Sequence, residues 1–252
     1  MGVLDLPAFG AQTTAPKSAS SGNIISLPQE ERQALEKYLG QGIIGKPVEA
    51  PVIENPVDLY GLRAGIWQGK ITSGEKSGQD FAWTVEASAG KETSGWRGYR
   101  GKRQVDYLEK VDDGHVVVTG VIDNENGVIT RYTPPEPRMR KGIKPGESHA
   151  ADLEVKVYSA KNPERLKYSG KLNLTLTYIG AYAVKVPAGV YNALLFKWHY
   201  KGKVGPAKID DAVYRFFAPG VGPVALIEFK HISAALIYRD TEKWGIVLTE
   251  LK

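Results

Sequence analysis

The stretch Lys171–Tyr178, KLNLTLTY, alternates without a break: Leu172, Leu174, Leu176 and Tyr178 fall on one face, and Lys171, Asn173, Thr175 and Thr177 on the other. A period of two with one dry and one wet face is the pattern of a strand in an antiparallel sheet. The same period runs from Leu62 to the end of the chain. It recurs in FAWTVEAS (81–88), HVVVTGVI (115–122), GVITRYT (127–133), LEVKVYS (153–159), ALLFKWHY (193–200), AVYRFFA (212–218), VALIEF (224–229), AALIYRD (234–240) and GIVLTEL (245–251). Gly, Pro, Asn or Asp separate most of these segments, and DNENG at 123–127 reads as a hairpin turn. The pattern predicts a mainly β protein: a large curled antiparallel sheet of about ten strands, half-barrel or barrel-like, because so long a sheet must curl, split or close.

One helix is expected, near the start. Ser26 is placed to cap it, with Gln29 in the capping-box position, Pro28 in the first turn, and Glu30 and Glu31 at the positive end of the dipole. Ala34, Leu35, Tyr38 and Leu39 form an apolar stripe, Arg32 and Lys37 fall on the opposite face, and Gly40 and Gly42 end the helix. Pro47, Pro51 and Pro56 then mark an extended connector. The expected organisation is a flexible leader over 1–25, the helix and Pro-rich connector over 26–61, and one antiparallel β domain over 62–252. A curled sheet covered by one helix encloses a concave apolar space, with the helix as lid or plug. The residues expected to line it are Leu35, Tyr38 and Leu39 of the helix and Trp83, Trp198 and Phe217 of the strands.

The 252 residues contain no cysteine, which excludes disulfides, thiolate zinc sites and thiol nucleophiles. A formal charge of +5 is mild, so no nucleic-acid partner is expected. No run of 18 apolar residues exists to cross a membrane as a helix. The four histidines stand apart in sequence, and no metal or cofactor is expected. DNENG has Pro134 where a calcium loop needs its chelating Glu, and SAGKETSG lacks the upstream glycine of a phosphate loop. Two basic stretches, WRGYRGKR (96–103) and RMRKGIK (138–144), are read as the water-facing positions of strands. No catalytic residue emerges, and a non-enzymatic role is favoured over an enzyme with a dispersed site.

The turns carry a resemblance. VPAGVYNA (186–193) and FFAPGVGPV (216–224), preceded by the Pro-rich YTPPEPRMRKGIKPGES (132–148), resemble a family of exported bacterial β-proteins with VPAG and APGVG turns. That family is in turn similar to lipoprotein-carrier-like half-barrels, in which a curved sheet wraps an apolar cavity. The resemblance implies a periplasmic or secreted protein, although this chain has no full signal peptide; Ala8-Phe9-Gly10 fits the remnant of a cleavage site, but a chance triplet in a flexible leader is the favoured reading. It also implies a lipid or other apolar small molecule as partner. An envelope protein or glycan bound at the sheet surface or edge is the alternative.

Overall fold

The computed structural model describes residues 24–91, 94–234 and 238–252, so most of the expected leader, residues 1–23, lies outside the described residues. The chain begins with α1 (Gln29–Leu39), β1 (Ile44–Val48) and a one-turn α2 (Pro56–Tyr60). Seven strands follow: β2 (Gly65–Ile71), β3 (Asp80–Ala87), β4 (Gly95–Arg100), β5 (Gln104–Lys110), β6 (Val116–Asp123), β7 (Val128–Met139) and β8 (Ser148–Ser159). The last five are β9 (Asn162–Val186), β10 (Gly189–Val204), β11 (Ala207–Ala218), β12 (Gly222–Ala234) and β13 (Tyr238–Leu251).

From β2 to β13 each strand pairs antiparallel with the next, and β13 returns to pair with β2, placing Ile246 opposite Ile71 and Leu251 opposite Trp67. The curled sheet therefore closes into a twelve-stranded up-and-down barrel. Closure gives the backbone groups of both terminal strands a partner, which an open sheet of this length leaves exposed. β1 lies outside the ring, on the part of β9 that extends beyond β8, where Val48 faces Ala181.

The turns behave as their residues require. In DNENG, Asp123 Oδ1 accepts from the Asn126 amide at 3.0 Å. At VPAG, Val186 faces Gly189, whose φ of +141° suits a residue without a Cβ. Pro223 sits on β12 just after its first residue and faces Phe217 beside a bulge that leaves Val224 of β12 unpaired. The AALIYRD segment straddles the end of β12 and the start of β13, with 235–237 outside the described residues.

Several expectations need correction. Pro28, not Ser26, occupies the N-cap of α1, and no side chain caps the helix; its carbonyl receives the Arg32 amide at 2.9 Å. A proline followed directly by helical residues ends the helix before Ser26 can reach it. Arg32 is not a free surface residue, because its guanidinium donates to the carbonyls of Ile44 and Gly45, tying β1 to the helix. The WRGYRGKR stretch forms β4 and the hairpin into β5. Of its charges Arg97 is exposed, but Arg100 faces the barrel interior.

The interior face is identified by contacts between strands that are not neighbours. Tyr60 of α2 touches Trp83 of β3 and Phe217 of β11, with ring centroids 6.0 and 5.1 Å apart. Arg138 of β7 reaches Tyr200 of β10. The period of two then assigns the rest: Leu172, Leu174, Leu176 and Tyr178 of β9 point inward and are buried. Outward stand Lys171, Asn173, Thr175 and Thr177, a polar face unlike the apolar outer band of a membrane barrel.

α1 is not a lid. Its buried Leu35 and Leu39 face the outer wall of β12 and β13, where Ala225, Ile227 and Val247 are also buried. Tyr38 packs edge-on against Phe229 at 5.0 Å, and its carbonyl accepts from Thr72 Oγ1 at 2.6 Å. Beneath it lies Gly245, flanked by the inward-facing Trp244 and Ile246. A Cβ added at Gly245 would stand 2.5 Å from the Tyr38 carbonyl oxygen. Gly245→Ala is therefore expected to push α1 off the wall at about 1–3 kcal/mol, the usual range for overpacking. An unchanged urea midpoint would show that the helix has room to shift.

Candidate ligand-binding lumen

The lumen combines an aromatic half with a charged half. In the aromatic half, β2, β3, β11, β12 and β13 enclose a cavity of about 60 Å³. Trp67 and Trp83 lie 5.0 Å apart on its wall, and Phe217, Val224, Ile246 and Leu248 complete much of it. Tyr60 reaches in from α2, which is the element that plugs this end of the barrel. α2 forms where it does because Asn55 caps it, accepting the Asp58 amide at 3.3 Å, and Pro56 begins it. Gly61 ends it with φ of +73°. Phe81, Leu226 and Trp244 also line the cavity and are only half-buried, which makes that side its way out. The space holds a few water-sized groups, well below the roughly 300–1,000 Å³ of a pocket for a drug-sized ligand.

The charged half comes from four strands, β4, β5, β7 and β10. Arg100 Nη2 stands 3.1 Å from Asp106 Oδ2, and Gln104 Nε2 donates to Asp106 Oδ1 at 2.6 Å. Arg138 Nη1 lies 3.0 Å from Glu136 Oε1 and donates to the Tyr200 hydroxyl at 3.1 Å. Tyr200 in turn donates to Glu136. Asp106, Glu136 and Arg138 are all buried. Such groups leave water only when paired and hydrogen-bonded, and each of these is.

The ionisation of these groups follows from that pairing. Burial pushes the Asp106 carboxyl up, but the Arg100 and Arg138 guanidinium groups and the Gln104 amide outweigh it and hold the carboxyl below its usual range. Burial pushes the Tyr200 hydroxyl well above its ordinary value, and the Glu136 carboxylate adds to this against Arg138. A depressed folded-state pKa stabilises the fold above the unfolded value and is lost as pH falls through the folded one. The contribution of Asp106 is thus complete above the ordinary carboxylate value of about 4 and disappears below it. Asp106→Asn is expected to flatten the acid limb of a stability–pH curve below about pH 4. An acid limb of undiminished slope in that variant would place the titration elsewhere.

Of the six residues expected to line a ligand space, the structure divides three from three. Trp83 and Phe217 line the cavity, and Trp198 stands beside them with its ring 6.1 Å from Phe217. Leu35, Tyr38 and Leu39 lie on the far side of the barrel wall. The polar residues of the lumen were missed, yet two signals for them exist. Arg215 is two residues from Phe217 and shares its side of β11, and both line the cavity. Glu136 and Arg138 are also two apart, but prolines at 134, 135 and 137 hide the strand that carries them. That segment of β7 leaves β8 after Thr133 and re-pairs with β6 at Glu136, across an irregularity that turns both charges inward.

No family model matches the chain, and no curated protein matches it. Solved structures with a similar fold include a candidate exported protein with a YmcC-like fold from Bacteroides fragilis. It is 12% identical, with 81% of this chain and 99% of that one covered and a TM-score of 0.42. A candidate lipoprotein from Parabacteroides distasonis is 16% identical, covering 75% of this chain and 95% of its own, with a TM-score of 0.34. The hypothetical lipoprotein YmcC from Escherichia coli is 9% identical, covering 89% and 97%, with a TM-score of 0.33.

Proposed function

We propose that this chain is a non-enzymatic protein of the bacterial cell envelope that binds a lipid or another apolar small molecule inside its barrel. The observation that carries the reading is the aromatic cavity between Trp67, Trp83 and Phe217, bordered by half-buried Phe81 and Trp244. Small apolar ligands are held in concave sites lined by such rings, with a few polar groups fixing orientation. An acyl chain needs more room than the cavity offers, so Phe81 and Trp244, whose ring centroids are 6.4 Å apart, move aside on entry. The envelope location rests on the VPAG and APGVG turns and their resemblance to exported β-proteins. Binding through a free sheet edge has less support, because β2 and β13 close on each other.

Catalysis by the lumenal carboxylates would require one of them to be free to move a proton. Asp106 is engaged by Arg100 and Gln104, and Glu136 by Arg138 and Tyr200.

The test is native mass spectrometry of the protein purified from a bacterial host, followed by tryptophan emission during titration with a neutral alkyl ligand. A co-purifying apolar mass, or a saturable emission change that Phe81→Ala alters, is expected. A protein that carries no adduct and shows no saturable response would overturn the reading.

A further inference from the structure

Among the described residues three arginines face the lumen, and they are not equivalent. Arg100 is paired with Asp106 and Arg138 with Glu136. Arg215 has no carboxylate at ion-pair distance among the described residues, although Asp106, already held by Arg100, bears on it from further off: its Nη1 donates to the Tyr60 hydroxyl at 2.7 Å, and its guanidinium lies 5.6 Å from the centre of the Trp198 ring. Its Nε has no hydrogen-bond partner. The residue is only 7% exposed and lines the aromatic cavity. Arg138 Nε is also unpartnered, but Arg138 does not line the cavity and its charge is met by Glu136. Glu228, half-buried on β12, bears on Arg100 and Asp211. Burial lowers the pKa of Arg215, and the neighbouring Arg100 and Arg138 add to that against Tyr60 and Asp106. A cation removed from water in this way calls for a counter-charge.

We infer that the ligand is an apolar-tailed carboxylate, whose head pairs with Arg215 and whose chain lies among Trp67, Phe81, Trp83 and Trp244. This deepens the lumenal-binding reading and rests on it. The head group follows from the donors. One edge of a guanidinium presents two parallel N–H groups, which match the two oxygens of a carboxylate. The second guanidinium on the cavity, Arg100, is already held by Asp106 and leaves no second clamp of the kind a phosphate dianion would use. The tail follows from the walls, because apart from Gln68 and the bare backbone of Gly69 the remaining lining is aromatic and aliphatic from Arg215 to the half-buried rings.

The experiment is calorimetric and fluorescence titration of the full chain at neutral pH with decanoate, decanol and decyl phosphate. Decanoate is expected to bind at least about tenfold more tightly than decanol, consistent with one charge-assisted pair. In Arg215→Gln the two should bind alike, with decanol affinity retained. Equal binding of decanoate and decanol to the wild-type protein would overturn the inference while leaving an apolar lumen in place. Tighter binding of decyl phosphate than of decanoate would overturn the carboxylate assignment. A preference for decanoate that persists in Arg215→Gln would remove Arg215 from the site. If none of the three binds, the inference and the lumenal reading fall together. Should Arg215→Gln not fold, the wild-type comparison of the three ligands decides alone.

Discussion

Replacing both Leu35 and Leu39 with Ala is expected to cost this protein a large part of its stability. Each leucine is almost fully buried, at 1% and 2% exposure, and each truncation removes about 2–5 kcal/mol in sites of that kind. The two are one helical turn apart and share neighbours, so the effects need not add. Even the lower sum, about 4 kcal/mol, is a substantial fraction of the ~5–15 kcal/mol that holds a typical domain together. The measurement is a urea unfolding midpoint, with Lys37→Ala, on the exposed side of α1, as a control expected to stay within about 0.5 kcal/mol. Because α1 lies on the outer wall, ligand affinity of the variant that remains folded should not change. A loss of ligand affinity without a loss of stability would mean that the helix communicates with the lumen through the wall.

Arg138→Met should be nearly as damaging for a different reason. It leaves the Glu136 carboxylate, 1% exposed, without its cation. Removing one member of a buried pair typically costs about 3–5 kcal/mol, because the remaining charge is stranded. Tyr200 still donates to Glu136 and offsets part of this. The double replacement Glu136→Gln with Arg138→Met removes both charges and should regain most of the loss, since neutral groups of similar volume are often tolerated where an ion pair was. A single variant as stable as the wild type would show that water reaches Glu136. A double variant no better than the single would show that shape, not charge, is what the site requires.

The alternating strands were legible in the sequence because a strand's side-chain period is a local property of the backbone. Leu172, Leu174 and Leu176 share a face whatever the rest of the chain does, and Gly189 and Gly222 mark turns by the φ values that only the absence of a Cβ makes easy. Four strands were harder to see. β1, β2, β4 and β5 are short and carry glycine, proline or charge where the pattern expects an apolar residue. Trp83, Trp198 and Phe217 were legible as apolar residues on the dry faces of their strands for the same local reason. Arg100, Asp106, Glu136, Arg138 and Arg215 were not.

What the sequence determined by itself is therefore which residues lie together on each strand. It did not determine which face is inside. That depends on closure, made by β13 pairing with β2 across the length of the β domain, with Ile246 against Ile71. Before closure a charged face reads as wetted. After closure the same face is a lumen, and its arginines and carboxylates must find one another across the barrel. The placement of α1 was undecided for the same reason: an apolar stripe states that a helix is buried on one side, but both faces of this barrel wall have apolar stretches to offer. Only the tertiary structure, through the bare backbone at Gly245 and the outward Ile227 and Val247, placed it outside, because that is where a helix can approach the wall closely enough to dry it.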